Sequence, residues 1–198
     1  MARVFCVANQ KGGVGKTTTT VNLAAALAAQ GQRVLLVDLD PQGNATMGSG
    51  VDKRSLKTSV YHVLLGLASL AEARQASEAG KYDTLPANRD LAGAEVEMVD
   101  LDNRETRLKH ALALHDKDYD FVLIDCPPSL SMLTLNGLCA ANGVIIPMQC
   151  EYYALEGLSD LVNTIKKVHA NLNPDLKIIG LLRVMFDTRS TLSNQVSA

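Results

Sequence analysis

The stretch "NQKGGVGKTT", residues 9–18, decides the fold. It follows a short apolar, β-rich run, "ARVFCVA" (2–8). It leads into "TTTTVNLAAALAAQ" (17–30), which is rich in alanine and leucine and stopped by Gly31. Strand, glycine-rich loop and helix in that order are the setting of a phosphate-binding loop, whose general pattern is G-x-x-x-x-G-K-[ST]. Gly15-Lys16-Thr17 supplies the end of the pattern. Its first glycine is missing: Gln10 stands there, and a second lysine, Lys11, follows.

The chemistry of such a loop is specific. Gly12, Gly13, Val14 and Gly15 bring the backbone close to phosphate oxygens, and the N–H groups of Lys16, Thr17 and Thr18 point into the cradle. The start of the helix adds partial positive charge. The pattern predicts that Lys16 reaches the β- and γ-phosphates of ATP and that the Thr17 hydroxyl binds Mg²⁺. Lys11, on the outer lip, is poorly placed to do what Lys16 does. It is either a solvated surface lysine or a cation that reaches the γ-phosphate held by a facing subunit, as an arginine finger does.

Moving outward, "QRVLLVDLD" (32–40) and "YDFVLIDCPPS" (119–129) read as buried strands ending in aspartate. Asp40 precedes Pro41, which keeps it extended at a strand's C-terminal edge, where open α/β sheets bind ligands. A turn-forming aspartate is the other reading. Asp38, two residues earlier, is a weaker candidate to orient Lys11 or Lys16. Asp125 stands where a Mg²⁺-holding aspartate belongs, or else it simply ends its strand. Pro127 and Pro128 stop that strand, and Ser129 is a candidate γ-phosphate sensor.

The remaining chain reads as helix over 58–79, strand at "YDTLPAN", and helix over 90–115 with a break near Asp100–Asn103. Helix follows over 130–141, then strand "NGVIIPMQC", the long amphipathic helix "ALEGLSDLVNTIKKVHANL", and a last strand "LKIIGLLRVMF". The final "TRSTLSNQVSA" starts something helical. Glu151, Tyr152 and Tyr153 end the strand before the long helix. Strands alternating with helices predict an α/β fold: a doubly wound, mostly parallel sheet covered on both faces, in a single domain over residues 1–198.

Composition excludes several classes. Of 198 residues, 47% are hydrophobic and 20% charged, and the net charge of −2 gives no bulk attraction for nucleic acid. The four cysteines form no C-x-x-C pair and lack histidines at zinc spacing, so they read as buried thiols of a reducing compartment. No apolar run is long enough to span a membrane, and no signal peptide is visible.

The loop with its early lysine, "KGGVGKTT", resembles the deviant Walker A family that includes ParA, Soj, MinD and the nitrogenase iron protein. "VLLVDLDPQGNAT", "VLIDCPPS", "LPANRDLAGAEVEMV" and "PMQCEYYALEGLSDLVNTI" are similar to the ParA/Soj branch, in the same order along the chain. That resemblance implies a P-loop ATPase in which Lys11 crosses the interface of an ATP-bound homodimer. It also implies that Asp40 positions the attacking water and that Asp125 holds Mg²⁺. Arg189, in "DTRSTL", matches a position that contacts DNA in Soj-like relatives, with Arg183 and Lys166–Lys167 as vaguer candidates.

The function so implied is segregation of chromosome or plasmid DNA, in the cytoplasm and on the nucleoid. DNA would be bound without sequence preference, and a ParB-like partner would stimulate hydrolysis. Family members continue some tens of residues past Ala198, so the chain is expected to be C-terminally truncated relative to them. Two other readings follow from the same residues. One is a MinD-like regulator, which needs a basic amphipathic C-terminal helix. The other is a nucleotide-binding module without turnover. An iron–sulfur role does not fit the cysteine positions.

Overall fold

The computed structural model describes residues 1–151, 154–191 and 195–196. Seven strands form one sheet: β1 (Arg3–Val7), β2 (Val34–Asp38), β3 (Gln75–Ser77), β4 (Tyr82–Leu85), β5 (Phe121–Asp125), β6 (Gly143–Gln149) and β7 (Lys177–Val184). Their spatial order is β3-β4-β2-β5-β1-β6-β7, and every neighbouring pair is parallel except β3–β4. The doubly wound, mostly parallel sheet expected from the alternating pattern is therefore present.

The helices are α1 (Lys16–Ala29), α2 (Asn44–Gly48), α3 (Val60–Leu65), α4 (Leu70–Ala73), α5 (Leu91–Glu97), α6 (Arg107–Ala113), α7 (Met132–Ala140) and α8 (Ala154–Asn171). They separate into two layers because strand side chains alternate between faces. On β2, Leu35 and Val37 join a large core with α3, α5, α6, α7 and α8, while Val34 and Leu36 pack with α1 and Ala45 of α2. On β5, Val122 and Ile124 go with the first set and Leu123 with the second. Continuous apolar strands are what burial on both faces requires.

Two stretches depart from the sequence reading: "PQGNATMGSG" (41–50), which reads as turn chemistry, contains the short helix α2, and the larger departure is at 58–79. Residues 58–79 do not form a single helical segment. A capping box starts the four-residue α4, in which the Ser69 hydroxyl accepts from Glu72 N and the Glu72 carboxylate accepts from Ser69 N. Arg74 then turns extended and the chain becomes β3, antiparallel to β4. Lys81, in the left-handed region at φ 58°, closes the hairpin by donating its N–H to Ser77 O at 2.8 Å. The Arg74 guanidinium ties the turn down, donating to Tyr119 Oη (2.8 Å) and Asp83 Oδ2 (3.1 Å). These partners are remote in sequence, so no local periodicity announces them.

Tyr152 and Tyr153 lie outside the described residues, as do 192–194 and 197–198 of the expected final helix. Among the described residues, no helix is long and apolar enough to cross a membrane. All four cysteines are free and buried.

Candidate active site

Three central strands, β1, β5 and β2, end side by side. Their register sets Val7 beside Asp125 and Asp38 beside Asp125. Each strand is followed by a loop at its C-terminal end, and these loops enclose a cleft of about 620 Å³. Gly12, Gly13, Gly15 and Lys16–Thr19 line it from the first loop, and Asp40, Gln42 and Asn44 from the second. Pro128 lines it from the third, with Val184 and Met185 from the end of β7. Open parallel sheets bind ligands at such an edge.

Local geometry makes the first loop a cradle. Gly15 caps α1 at φ 81°, a left-handed conformation that a side chain would strain. No side chain caps α1, so its first-turn N–H groups face the cleft without a protein acceptor from that position. The loop is also strapped from below. Asn9 accepts from Lys11 N at 3.0 Å through its side-chain oxygen and donates to Pro147 O of β6 at 2.7 Å. Asn9 was not singled out from the sequence; its signal, a buried amide at the strand–loop junction, appears only with the β6 backbone in place.

The two lysines behave differently. Lys16 is buried, and its ammonium donates to Lys11 O at 2.8 Å. Burial pulls it below the ordinary lysine value, against the opposing pull of Asp125, Cys126 and Asp40. Lys11 is half exposed, and its ammonium is paired with Glu151 at the end of β6. The loop therefore carries one cation turned inward and one on its lip.

Thr17 and Asp125 come together: the Thr17 hydroxyl donates to Asp125 Oδ2 at 2.7 Å, and Thr20 approaches Oδ1 at 3.3 Å. Asp125 is fully buried, and burial, with the nearby Asp38 carboxylate, pushes it up to about 7 while the Thr17 bond opposes the rise. A hydroxyl and a carboxylate side by side are hard oxygen donors of the kind Mg²⁺ takes. Mg²⁺ is usually held by one or two protein oxygens plus substrate phosphates. The residues present fit the ion.

Asp40 lines the cleft, with its carboxylate accepting from Gln42 N at 2.8 Å. Asp38 does not orient either lysine. It is sealed under α2, where Oδ2 accepts from Thr46 N (2.8 Å) and Thr46 Oγ1 (2.7 Å), while Oδ1 accepts from Asp40 N (3.0 Å). Burial pushes it up to about 6, with the Thr46 bonds holding it down. Its task is to fix the backbone that presents Asp40. Ser129 gives its carbonyl to the Thr134 hydroxyl. Arg189 is not among the cleft residues; its guanidinium lies on Asp187, Nε to Oδ1 and Nη2 to Oδ2 at 3.0 Å each. Arg183 stacks on the Phe186 ring at 4.6 Å.

Comparison with known proteins agrees with this fold. Residues 2–178 match an AAA domain family, AAA_31. The chain is 53% identical over 196 residues to the chromosome partitioning protein ParA of Myxococcus xanthus, covering 99% of this chain and 69% of that protein. It is 52% identical over 196 residues to the sporulation initiation inhibitor protein Soj of Bacillus subtilis, covering 99% and 78%. Among solved structures, a protein of Mycobacterium smegmatis described as cobyrinic acid a,c-diamide synthase, with bound ATP analog and magnesium, superimposes with a TM-score of 0.96. It is 51% identical, with 100% of this chain and 80% of that one covered.

Proposed function

The chain belongs to the ParA/Soj family of chromosome-partitioning P-loop ATPases, and on that premise we propose that it is a nucleotide-driven dimerisation switch for DNA segregation. The observation that carries this reading is the convergence of Lys16, Thr17 and Asp40 on one cleft, with Asp125 buried behind Thr17 and hydrogen-bonded to it, and a second cation, Lys11, on the loop's outer lip.

In this reading Gly12, Gly13, Val14, Gly15, Thr18 and the start of α1 receive the phosphates through backbone N–H groups. Lys16 leaves the Lys11 carbonyl for the terminal phosphates. Thr17 and Asp125 would hold Mg²⁺, which would offset the charge of the phosphates. Asp40 orients the attacking water. Lys11 gives up Glu151 and reaches the triphosphate of a second copy, so that ATP itself joins the dimer.

Catalysis of this kind is positioning and charge stabilisation, so the lone protein is expected to turn over slowly. The ATP dimer binds DNA without sequence preference. Arg189 contributes once it exchanges Asp187 for a phosphate, and a ParB-like partner stimulates hydrolysis.

The test is ATP turnover and oligomeric state, with and without DNA. Lys16→Ala is expected to lose productive nucleotide binding. Asp40→Ala should keep ATP and remain a dimer. Lys11→Ala should bind nucleotide as a monomer; a Lys11→Ala protein that dimerises and turns over normally would end the trans role.

A further inference from the structure

Of the nine arginines, seven are engaged. Arg33, Arg74, Arg104 and Arg189 pair with carboxylates, Arg107 donates to backbone carbonyls, and Arg3 and Arg183 lie over aromatic rings. The side chains of Arg54 and Arg89 have no hydrogen-bond or ionic partner among the described residues. Both line the same cleft, of about 520 Å³, with Pro41, Gln42, Lys53 and Asn88. Gln42 also lines the nucleotide cleft, so the two are neighbours.

Among the described residues, no carboxylate lines this second cleft. The two acids nearest in sequence are turned into their own turns: Asp52 Oδ1 accepts from Arg54 N at 3.0 Å, and Asp90 Oδ2 accepts from Asn88 Nδ2 at 3.1 Å. The result is three cations and two amides in a concavity of a protein whose net charge is −2. Such a local patch is what a polyanion would need, because the molecule as a whole offers it no attraction. Guanidinium forks match phosphate oxygens in pairs. Pro41 is the sole apolar residue among the described ones that line the cleft, which therefore lacks the aliphatic or aromatic anchor on which protein partners depend.

We propose that this cleft takes a backbone phosphate of nucleic acid, held by Arg54 and Arg89 with Lys53 alongside. The proposal rests on the reading of the protein as DNA-binding and adds a contact to Arg189. It also links DNA to the nucleotide cleft. The Lys53 ammonium donates to Gln42 O, while Gln42 N donates to Asp40 Oδ1 at 2.8 Å. The turn between them has no slack. Gly43 sits at φ 62°, and a Cβ there would lie 2.6 Å from Ala87 O and 2.9 Å from Lys53 Cδ. A phosphate that draws the Lys53 ammonium away releases one end of the turn whose other end is anchored on Asp40. DNA occupancy thereby alters how Asp40 is held.

The experiment compares the full chain with its Arg54→Ala/Arg89→Ala variant, both with ATP. Binding of a short fluorescent DNA duplex is followed by anisotropy across a salt series. The variant should bind more weakly, and its slope of log K against log salt should be shallower by about two, one for each arginine that no longer neutralises a phosphate. Nucleotide affinity and turnover without DNA should be unchanged, and the effect of DNA on turnover should shrink. Arg54→Lys/Arg89→Lys, which keeps the charge, should recover most of the slope. A variant with the wild-type slope overturns the site and leaves the DNA reading standing. Wild-type protein that binds no DNA in any nucleotide state overturns both. Loss of binding to poly-L-glutamate with an unchanged DNA slope would make the occupant an acidic protein and overturn the proposal.

Discussion

Strands β2 and β7 both read as apolar runs, "VLLVD" and "KIIGLLRV", yet they live in opposite environments. All five residues of β2 are buried, whereas Ile179 and Leu181 of β7 are 57% and 51% exposed. The difference teaches that an apolar, β-branched run specifies membership in a sheet, while cover specifies burial. Strand β2 lies between β4 and β5 with α1 on one face and the large helical core on the other. Among the described residues, strand β7 pairs only with β6, at the edge of the sheet. Both nonetheless serve the same cleft: β2 leads to Asp40, which lines it and whose N–H is held by the buried Asp38, and the end of β7 supplies Val184 and Met185 as a wall.

The sharpest way to break this comparison is to empty both strands equally. Leu36→Ala should cost about 2–5 kcal/mol, because a fully buried leucine leaves a cavity that its neighbours cannot refill. Leu181→Ala should cost within about 0.5 kcal/mol. Urea denaturation measures both, and equal losses would mean that β7 is covered in solution.

A somewhat smaller effect probes the buried end of β2. Asp38 stands at about 6 in the folded protein against 3.8 for the ordinary side chain. A carboxyl raised by folding contributes stability that is fully present below the unfolded value and is lost as pH rises through the folded one. The wild type should therefore lose on the order of 3 kcal/mol relative to Asp38→Asn between about pH 4 and pH 7. Below pH 4 the wild type should be the more stable of the two. The amide of the variant sets an N–H donor against the N–H of Asp40 or the donors of Thr46, at about 1–3 kcal/mol. Parallel stability curves for the two proteins across that range would show that Asp38 is not buried as described.

The smallest effect concerns the exposed strand. Ile179→Lys should leave stability within about 0.5 kcal/mol and lower any concentration-dependent association, since a charge on an exposed edge blocks edge-to-edge pairing. Sedimentation at rising concentration checks it. Unchanged association would remove β7 as the sticky edge.

Legibility from sequence divides along similar lines. The loop 12–18, the strands that lead to Asp40 and Asp125, and the long α8 were readable because each depends on a few neighbouring residues with fixed spacing. Strand β3 was not, because Gln75–Ser77 is strand only by pairing with β4, and its anchors Asp83 and Tyr119 lie elsewhere in the chain. The role of Asp38 was misread for the same reason: its partner Thr46 is eight residues away on α2, and nothing in the spacing marks the pair.

Sequence alone determined that this chain sets a glycine-rich loop and a helix start at the end of a parallel sheet, because backbone geometry, glycine placement and apolar periodicity are local properties. Tertiary structure decided which polar groups meet. It set Thr17 on Asp125, laid the Lys16 ammonium on the Lys11 carbonyl, sealed Asp38 beneath α2 and brought Arg54 and Arg89 into one cleft. Those pairings depend on strand order and register, which are fixed by the packing of the whole sheet.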